Sequence, residues 1–143
     1  MKSKRLARLV RLRKLVEQSH AAELQGRKSE LQAAEHALQQ TITQLQELRD
    51  RQASSATEML WRASFEENLG REAEHRKGVI GLRRQVVAEG EQIVREAWQR
   101  RRLVQHLQER AEMRELEDEK TRNYRELDDM TLLRGSPSKE EGS

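Results

Sequence analysis

The side chains best suited to chemistry are four histidines and many carboxylates, and their spacing builds no recognisable site. The histidines form no His-x-x-x-His pair, the spacing that would hold a metal between two turns of one helix; they are His20, His36, His75 and His106. The chain has no cysteine and no glycine-rich phosphate loop followed by Lys and Ser or Thr. A solvated helix face therefore explains each histidine better than a ligand role does. The sequence predicts no enzyme, no metal site and no cofactor.

The composition is typical of long exposed helices. Charged residues make up 37% of the chain, aromatic residues 3%, and the only proline is Pro137. Leu, Ala, Gln, Glu, Arg and Lys dominate, as in helices that bury a narrow seam against a neighbouring helix. An apolar content of 34% is too low to fill a globular interior, and no segment approaches the roughly 20 apolar residues that span a bilayer. We expect an all-α, cytoplasmic protein.

Two apolar runs follow a seven-residue period. In the first run leucine recurs at every seventh position, namely Leu24, Leu31, Leu38 and Leu45. Upstream of this run the apolar stripe is displaced by about one residue, which predicts a stutter in the seam; its members are Leu6, Leu9, Leu12 and Val16. The second run consists of doublets, namely Val79–Ile80, Val86–Val87, Ile93–Val94 and Leu103–Val104.

The uncharged stretch 53–57 separates the two runs and predicts the turn, with Ser55 or Thr57 as the cap of the following helix. The predicted fold is a long antiparallel two-helix coiled coil, a helical hairpin. Its parts are helix one over about 3–52, a turn over 53–57, helix two over about 58–132, and a disordered tail over 134–143. A turn centred near residue 55 would set Leu24 opposite Val86.

The N-terminal segment is strongly basic. Residues 2–14 carry seven cations and no acid, whereas acids are concentrated in residues 115–129. A basic segment before a leucine heptad leaves open a basic-region leucine-zipper-like DNA-binding protein. Leucines interleave with the basic residues, however, and the Asn and Ala-Ala residues that contact bases in such proteins are missing. An anionic membrane surface is a further alternative partner for a basic amphipathic segment.

Trp61, Phe65 and Leu69 follow one another at i, i+4 and i+8 just beyond the predicted turn. Large apolar side chains near the end of a hairpin have little partner helix to cover them, and such patches often mark docking sites. Alternatively, they close the end of the seam, with Phe65 against Leu45. Both interpretations remain open at this point.

Three stretches of the chain resemble the FliJ family, the small coiled-coil component of the bacterial flagellar export apparatus. The basic opening is MKSKRLARLVRLRK, and the second-helix segment over residues 98–110 is WQRRRLVQHLQER. The ending YRELDD is similar to the charged terminus of the family, with Asp129 in place of the usual Glu. The resemblance covers roughly residues 1–132.

The resemblance implies a stalk that links the ring of the flagellar export ATPase to the cytoplasmic domain of the export gate protein and also contacts export chaperones. The pair Phe65 and Leu69 falls where the family presents apolar residues to the gate, and we expect gate docking through Trp61, Phe65 and Leu69. The basic residues expected to contact the ATPase ring are Arg5, Arg8, Arg11, Lys14, Arg100, Arg101 and Arg102. We expect no nucleic acid partner and a location at the flagellar base, peripheral to the inner membrane through these partners. The alternative is a stalk protein of a virulence type III secretion system.

Overall fold

The computed structural model describes the backbone of residues 1–141 and the side chains of residues 1–134. Helix α1 spans Lys2–Asp50 and helix α2 spans Ala56–Glu141, and the described residues contain no strand. The two helices pack against each other as a helical hairpin coiled coil, so the predicted fold class is confirmed. The chain divides into two compact units. We call Met1–Lys14 with Gln99–Ser143 the terminal unit and Leu15–Trp98 the connection unit.

The helix boundaries differ from the sequence prediction at both ends of α2. The connection occupies residues 51–55, two residues earlier than predicted. At its other end α2 is helical as far as Glu141, where the sequence predicted a disordered tail from residue 134. That prediction rested on Gly135, Ser136 and Pro137, since proline removes an intrahelical hydrogen bond and its ring kinks or breaks a helix. The structure nevertheless continues α2 past Pro137. Residues 142 and 143 lie outside the described residues.

Local hydrogen bonds define the start of α2. Ser55 Oγ accepts a hydrogen bond from the Glu58 amide at 3.2 Å, which makes Ser55 the N-cap. The Glu58 carboxylate accepts in turn from the amide and hydroxyl of Ser54, at 2.8 and 2.7 Å. These bonds hold the pKa of Glu58 below its ordinary value. Glu58 thus forms a reciprocal cap with the two serines. It differs from the usual capping box in that the carboxylate accepts from Ser54, the residue before the N-cap, and not from the N-cap Ser55 itself. These bonds fix the first turn of α2.

Arg62 of α2 caps the C-terminal end of α1. The Arg62 guanidinium donates to the main-chain carbonyls of Arg51 at 2.7 Å and Arg49 at 2.5 Å. Its Nε also lies 3.3 Å from Glu66 Oε1. The last carbonyls of a helix lack intrahelical partners and favour a cation, so Arg62 stabilises this terminus.

The buried side of α1 keeps one heptad phase in each unit, and the predicted stutter is wrong. In the connection unit the seam comprises Glu17, His20, Leu24, Arg27, Leu31, Ala34, Leu38, Thr41, Leu45 and Leu48, all buried or half-buried. In the terminal unit the same seven-residue phase gives Ser3, Leu6, Val10 and Arg13. Leu9, Leu12 and Val16, which belong to the displaced stripe, are exposed. Long polar side chains can occupy seam positions because their charged ends still reach water, so hydrophobicity alone misplaces this seam.

The register of the connection unit is one helical turn from the predicted one. Leu24 lies against Gly90 instead of Val86, and a Cβ built on Gly90 would be 3.0 Å from Leu24 Cδ1. The Arg27 guanidinium donates to the Val86 carbonyl at 2.9 Å, and Arg83 pairs with Glu30 at 2.6 Å. Gly90 lacks a side chain, so it provides the room that Leu24 and Arg27 occupy.

This contact makes a prediction about glycine replacements. Gly81→Ala should raise the free energy of unfolding by about 1 kcal/mol, because alanine favours helix and the new methyl meets no atom within 4 Å. Gly90→Ala should fall short of that gain or reverse it, since its methyl would meet Leu24 at 3.0 Å. Urea unfolding followed by circular dichroism measures both, with Gly78→Ala as a second open control. Equal gains at positions 81 and 90 would refute the close approach.

Candidate docking surfaces

The connection unit exposes an aromatic pair just after the connection. Trp61 is 65% exposed and Phe65 is 53% exposed. Their ring centroids are 6.5 Å apart, with the planes tilted by 48°, a geometry within the range of favourable aromatic contacts. Both rings border an open groove of about 560 Å³, whose other lining residues include Leu48, Ala53 and Thr57. The two aromatic residues therefore form one accessible apolar surface.

Leu69 does not share this exposure. It is half-buried, one heptad after Arg62 and on the seam side of α2, whereas the sequence placed it on one face with Trp61 and Phe65. Each four-residue step advances a 3.6-residue helix by about 40°, so two steps turn Leu69 toward α1. The structure thus places Trp61 and Phe65 on one exposed surface. Leu69 is not part of that surface, because it is half-buried.

Two exposed apolar residues were missed by sequence reasoning. Met59 is 61% exposed and Leu60 is 73% exposed, and both immediately precede Trp61. They do not continue the i, i+4 pattern of the aromatic residues, so spacing did not select them. Their position next to the uncharged connection was the available signal.

The terminal unit holds the net positive charge of the described side chains. Residues 1–14 contribute seven cations and no acid, while residues 99–134 contribute nine cations and nine acids. The connection unit has 11 cations and 14 acids. Arg5, Arg8, Arg11 and Lys14 are all exposed. The predicted basic surface is therefore accessible on α1.

The predicted basic residues of α2 differ from one another in exposure. Arg100 and Arg102 are exposed, whereas Arg101 is half-buried and donates to Gln105 Oε1 at 3.0 Å. Since α1 and α2 are paired in this unit, the basic segment is not the unpaired single helix that a leucine zipper inserts into DNA. The structure gives the DNA-binding alternative no support.

The start of α1 is capped by α2. The amide of Ser3 donates to Glu115 Oε1 at 3.2 Å, and the Ser3 hydroxyl donates to Glu115 Oε2. These bonds hold the pKa of Glu115 below its ordinary value of 4.5, against a smaller opposing effect of desolvation. The seam ends here because α1 begins at Lys2. The same phase continues along α2 with exposed polar residues, namely Asp118, Arg122, Arg125 and Asp129. The Ser3–Glu115 contact therefore aligns the N-terminal end of α1 on α2.

The Glu115 contact predicts a pH dependence. Because the folded-state pKa is lowered, the stabilisation is fully present above pH 4.5 and is lost as pH falls through the lower folded-state value. Ser3→Ala should therefore speed amide exchange at the start of α1 at pH 7, and this difference should shrink on acidification below 4.5. Ser29→Ala, an exposed serine of α1, is the matched control. A Ser3→Ala effect that is constant from pH 7 to pH 3 would contradict the assignment.

These features define a helical hairpin coiled coil with one exposed apolar surface and one exposed basic surface, each a candidate for docking. The family model described as Flagellar FliJ protein matches residues 1–140, and the chain belongs to the FliJ family. It is accordingly a component of flagellar type III protein export. No curated protein and no solved structure matches the chain. No group of three or more His, Asp or Glu that could hold a metal, and no helix able to cross a membrane, occurs among the described residues.

Proposed function

We propose that this chain is the coiled-coil stalk that links the flagellar export ATPase ring to the cytoplasmic domain of the export gate protein. The proposal also includes assistance to export chaperones as they deliver substrates. The observation that carries it is the presence of two chemically different surfaces in separate units. The apolar pair Trp61 and Phe65 lies in the connection unit, and the basic surface lies in the terminal unit.

The terminal unit is the proposed partner of the ATPase ring. Its cations at Arg5, Arg8, Arg11 and Lys14 are exposed on a segment without acids. A surface of one sign raises the rate of encounter with a surface of opposite sign, and this effect weakens as salt screens it. The proposed set also includes Arg100, Arg101 and Arg102 of the same unit, of which Arg101 is partly engaged within the unit itself.

The connection unit is the proposed partner of the export gate. Trp61 and Phe65 offer large apolar area at little entropic cost, and residues of this type dominate the binding free energy of many protein interfaces. Leu69 belongs to the proposed gate-docking set as well. Leu69 is half-buried on the seam side of α2, so less of its side chain is available to a partner than that of Trp61 or Phe65.

A ternary binding experiment tests the link between the two partners. The full chain, held on a sensor through a C-terminal tag, should bind the purified ATPase and then bind the gate's cytoplasmic domain with unchanged affinity. Two separate surfaces permit simultaneous binding. The proposal places the chain at the inner membrane only through its binding to the gate. Mutual exclusion of the ATPase and the gate domain would refute the stalk, because a single shared surface cannot link two partners.

A further inference from the structure

The start of α2 carries apolar side chains on several sides of the helix, beyond the aromatic pair. We call Met59, Leu60, Trp61 and Phe65 the apolar collar. At 100° per residue, Leu60 lies 100° from Trp61 around the helix axis and Met59 lies a further 100° away. All four side chains are more than half exposed. The collar therefore surrounds most of the circumference of α2.

The collar is accessible because α1 ends beside it. Arg62 binds the carbonyls of Arg49 and Arg51, which places the end of α1 next to Arg62. The residues of α2 that precede Arg62 thus have no helical turn of α1 opposite them. A face directed toward α1, such as that of Met59, consequently remains open at 61% exposure.

The charged groups within this segment are already occupied by internal bonds. Glu58 accepts hydrogen bonds from Ser54. Arg62 is held by two carbonyls and by Glu66. A partner that encloses the collar therefore does not have to supply compensating charges, which would otherwise be costly to bury.

We propose that the gate's cytoplasmic domain receives the collar in an apolar pocket that closes around α2 and contacts Met59 and Leu60 as well as Trp61 and Phe65. This inference rests on the proposed function and adds two residues and a binding geometry to it. A partner docking on one face would leave Leu60 in water, because Leu60 lies about 100° from Trp61 and 140° from Phe65. Enclosure uses all four apolar side chains.

A protein pocket fits the collar better than a lipid surface does. The connection that precedes the collar is polar, with Gln52, Ser54 and Ser55 exposed. To bring the collar into hydrocarbon, this connection would enter first, together with main-chain groups that need hydrogen-bond partners. A protein pocket can supply those partners, whereas hydrocarbon cannot.

Methionine oxidation in the unaltered chain tests the enclosure. Met59 and Met113 are 61% and 59% exposed, so each is a matched reference for the other. With hydrogen peroxide and mass spectrometry, saturating gate domain should slow oxidation of Met59 at least fivefold and leave Met113 unchanged. Equal oxidation of Met59 in free and bound chain would overturn the enclosure and leave docking on the aromatic face alone.

A pair of variants tests the same inference by affinity. Met59→Gln with Leu60→Gln keeps good helix formers on an exposed surface and should weaken gate binding at least tenfold. Leu82→Gln, which removes a similarly exposed leucine elsewhere in the connection unit, should change it less than twofold. Wild-type affinity in the collar variant, with binding lost only in Trp61→Ala with Phe65→Ala, would reject the enclosure and keep the proposed function. No gate binding by the wild-type chain would reject both.

Vesicles of phosphatidylethanolamine and phosphatidylglycerol, without any gate domain, provide the lipid arm of the test. We expect no protection of Met59 by these vesicles. Protection of Met59 by vesicles in the unaltered chain, together with loss of vesicle binding in the variant Met59→Gln with Leu60→Gln, would assign the collar to lipid and overturn the protein pocket.

Discussion

Replacing Trp61 and Phe65 together by alanine is expected to abolish binding to the export gate and swimming motility while the chain stays helical. Each side chain is more than half exposed, so truncation removes contact area from the partner and little from the seam. Aromatic anchors at interface centres commonly contribute about 2 kcal/mol or more each. Loss of both should weaken binding by three orders of magnitude or so. Calorimetric titration with the gate's cytoplasmic domain and a motility assay measure the two effects.

Controls separate docking from folding. The double variant should keep the circular dichroism and ATPase binding of the wild type, whereas Leu82→Ala, an equally exposed truncation, should keep gate binding too. Leu69→Ala should lower the free energy of unfolding because Leu69 is half-buried on the seam side. The combination Phe65→Ala with Leu69→Ala is expected to lose both gate binding and some stability. Normal motility in a well-folded Trp61 and Phe65 double variant would remove this surface from the gate site.

Replacing Arg5, Arg8, Arg11 and Lys14 by glutamine is expected to weaken ATPase binding at least tenfold at low salt and to reduce stimulation of ATP hydrolysis. The four side chains are exposed and lie in a segment with no acid before Glu17. Their loss removes the charge that attracts an acidic partner surface, mainly through the association rate. Surface plasmon resonance at two ionic strengths measures this effect, which should fade at high salt.

A charge-matched control tests whether position or net charge matters. Arg71, Lys77, Arg84 and Arg95 are exposed in the connection unit, and their replacement by glutamine removes the same number of cations. That control should retain ATPase binding at low salt. If both quadruple variants bind equally well, or equally poorly, the assignment of the ring contact to the N-terminal basic segment is wrong.

Local signals in the sequence determined the helices, the connection and the aromatic pair. The leucine heptad from Leu24 to Leu45 predicted the seam of the connection unit, and all four of its leucines are half-buried there. The uncharged stretch 53–57 marked the connection to within two residues of its place at 51–55, and Ser55, one of the two predicted caps, does cap α2. The spacing of Trp61 and Phe65 placed them beside the end of α1 but left open whether they close the seam, and only the structure shows that both side chains are more than half exposed.

Where the apolar pattern of α1 allows more than one buried side, only the tertiary structure decided which positions face α2. Leu9 and Leu12 are as apolar as the two apolar residues of the true seam phase, Leu6 and Val10, yet Ser3 and Val10 are the buried positions. The apolar pattern of one helix shows where its apolar residues lie. Which of those positions are buried depends on which side of that helix packs against the other helix. The register shows the same limitation: heptad repeats match at several offsets, and the contact of Leu24 with Gly90 selects one of them. A glycine carries no hydrophobic signal, so the space it leaves becomes visible only when the facing helix is in place.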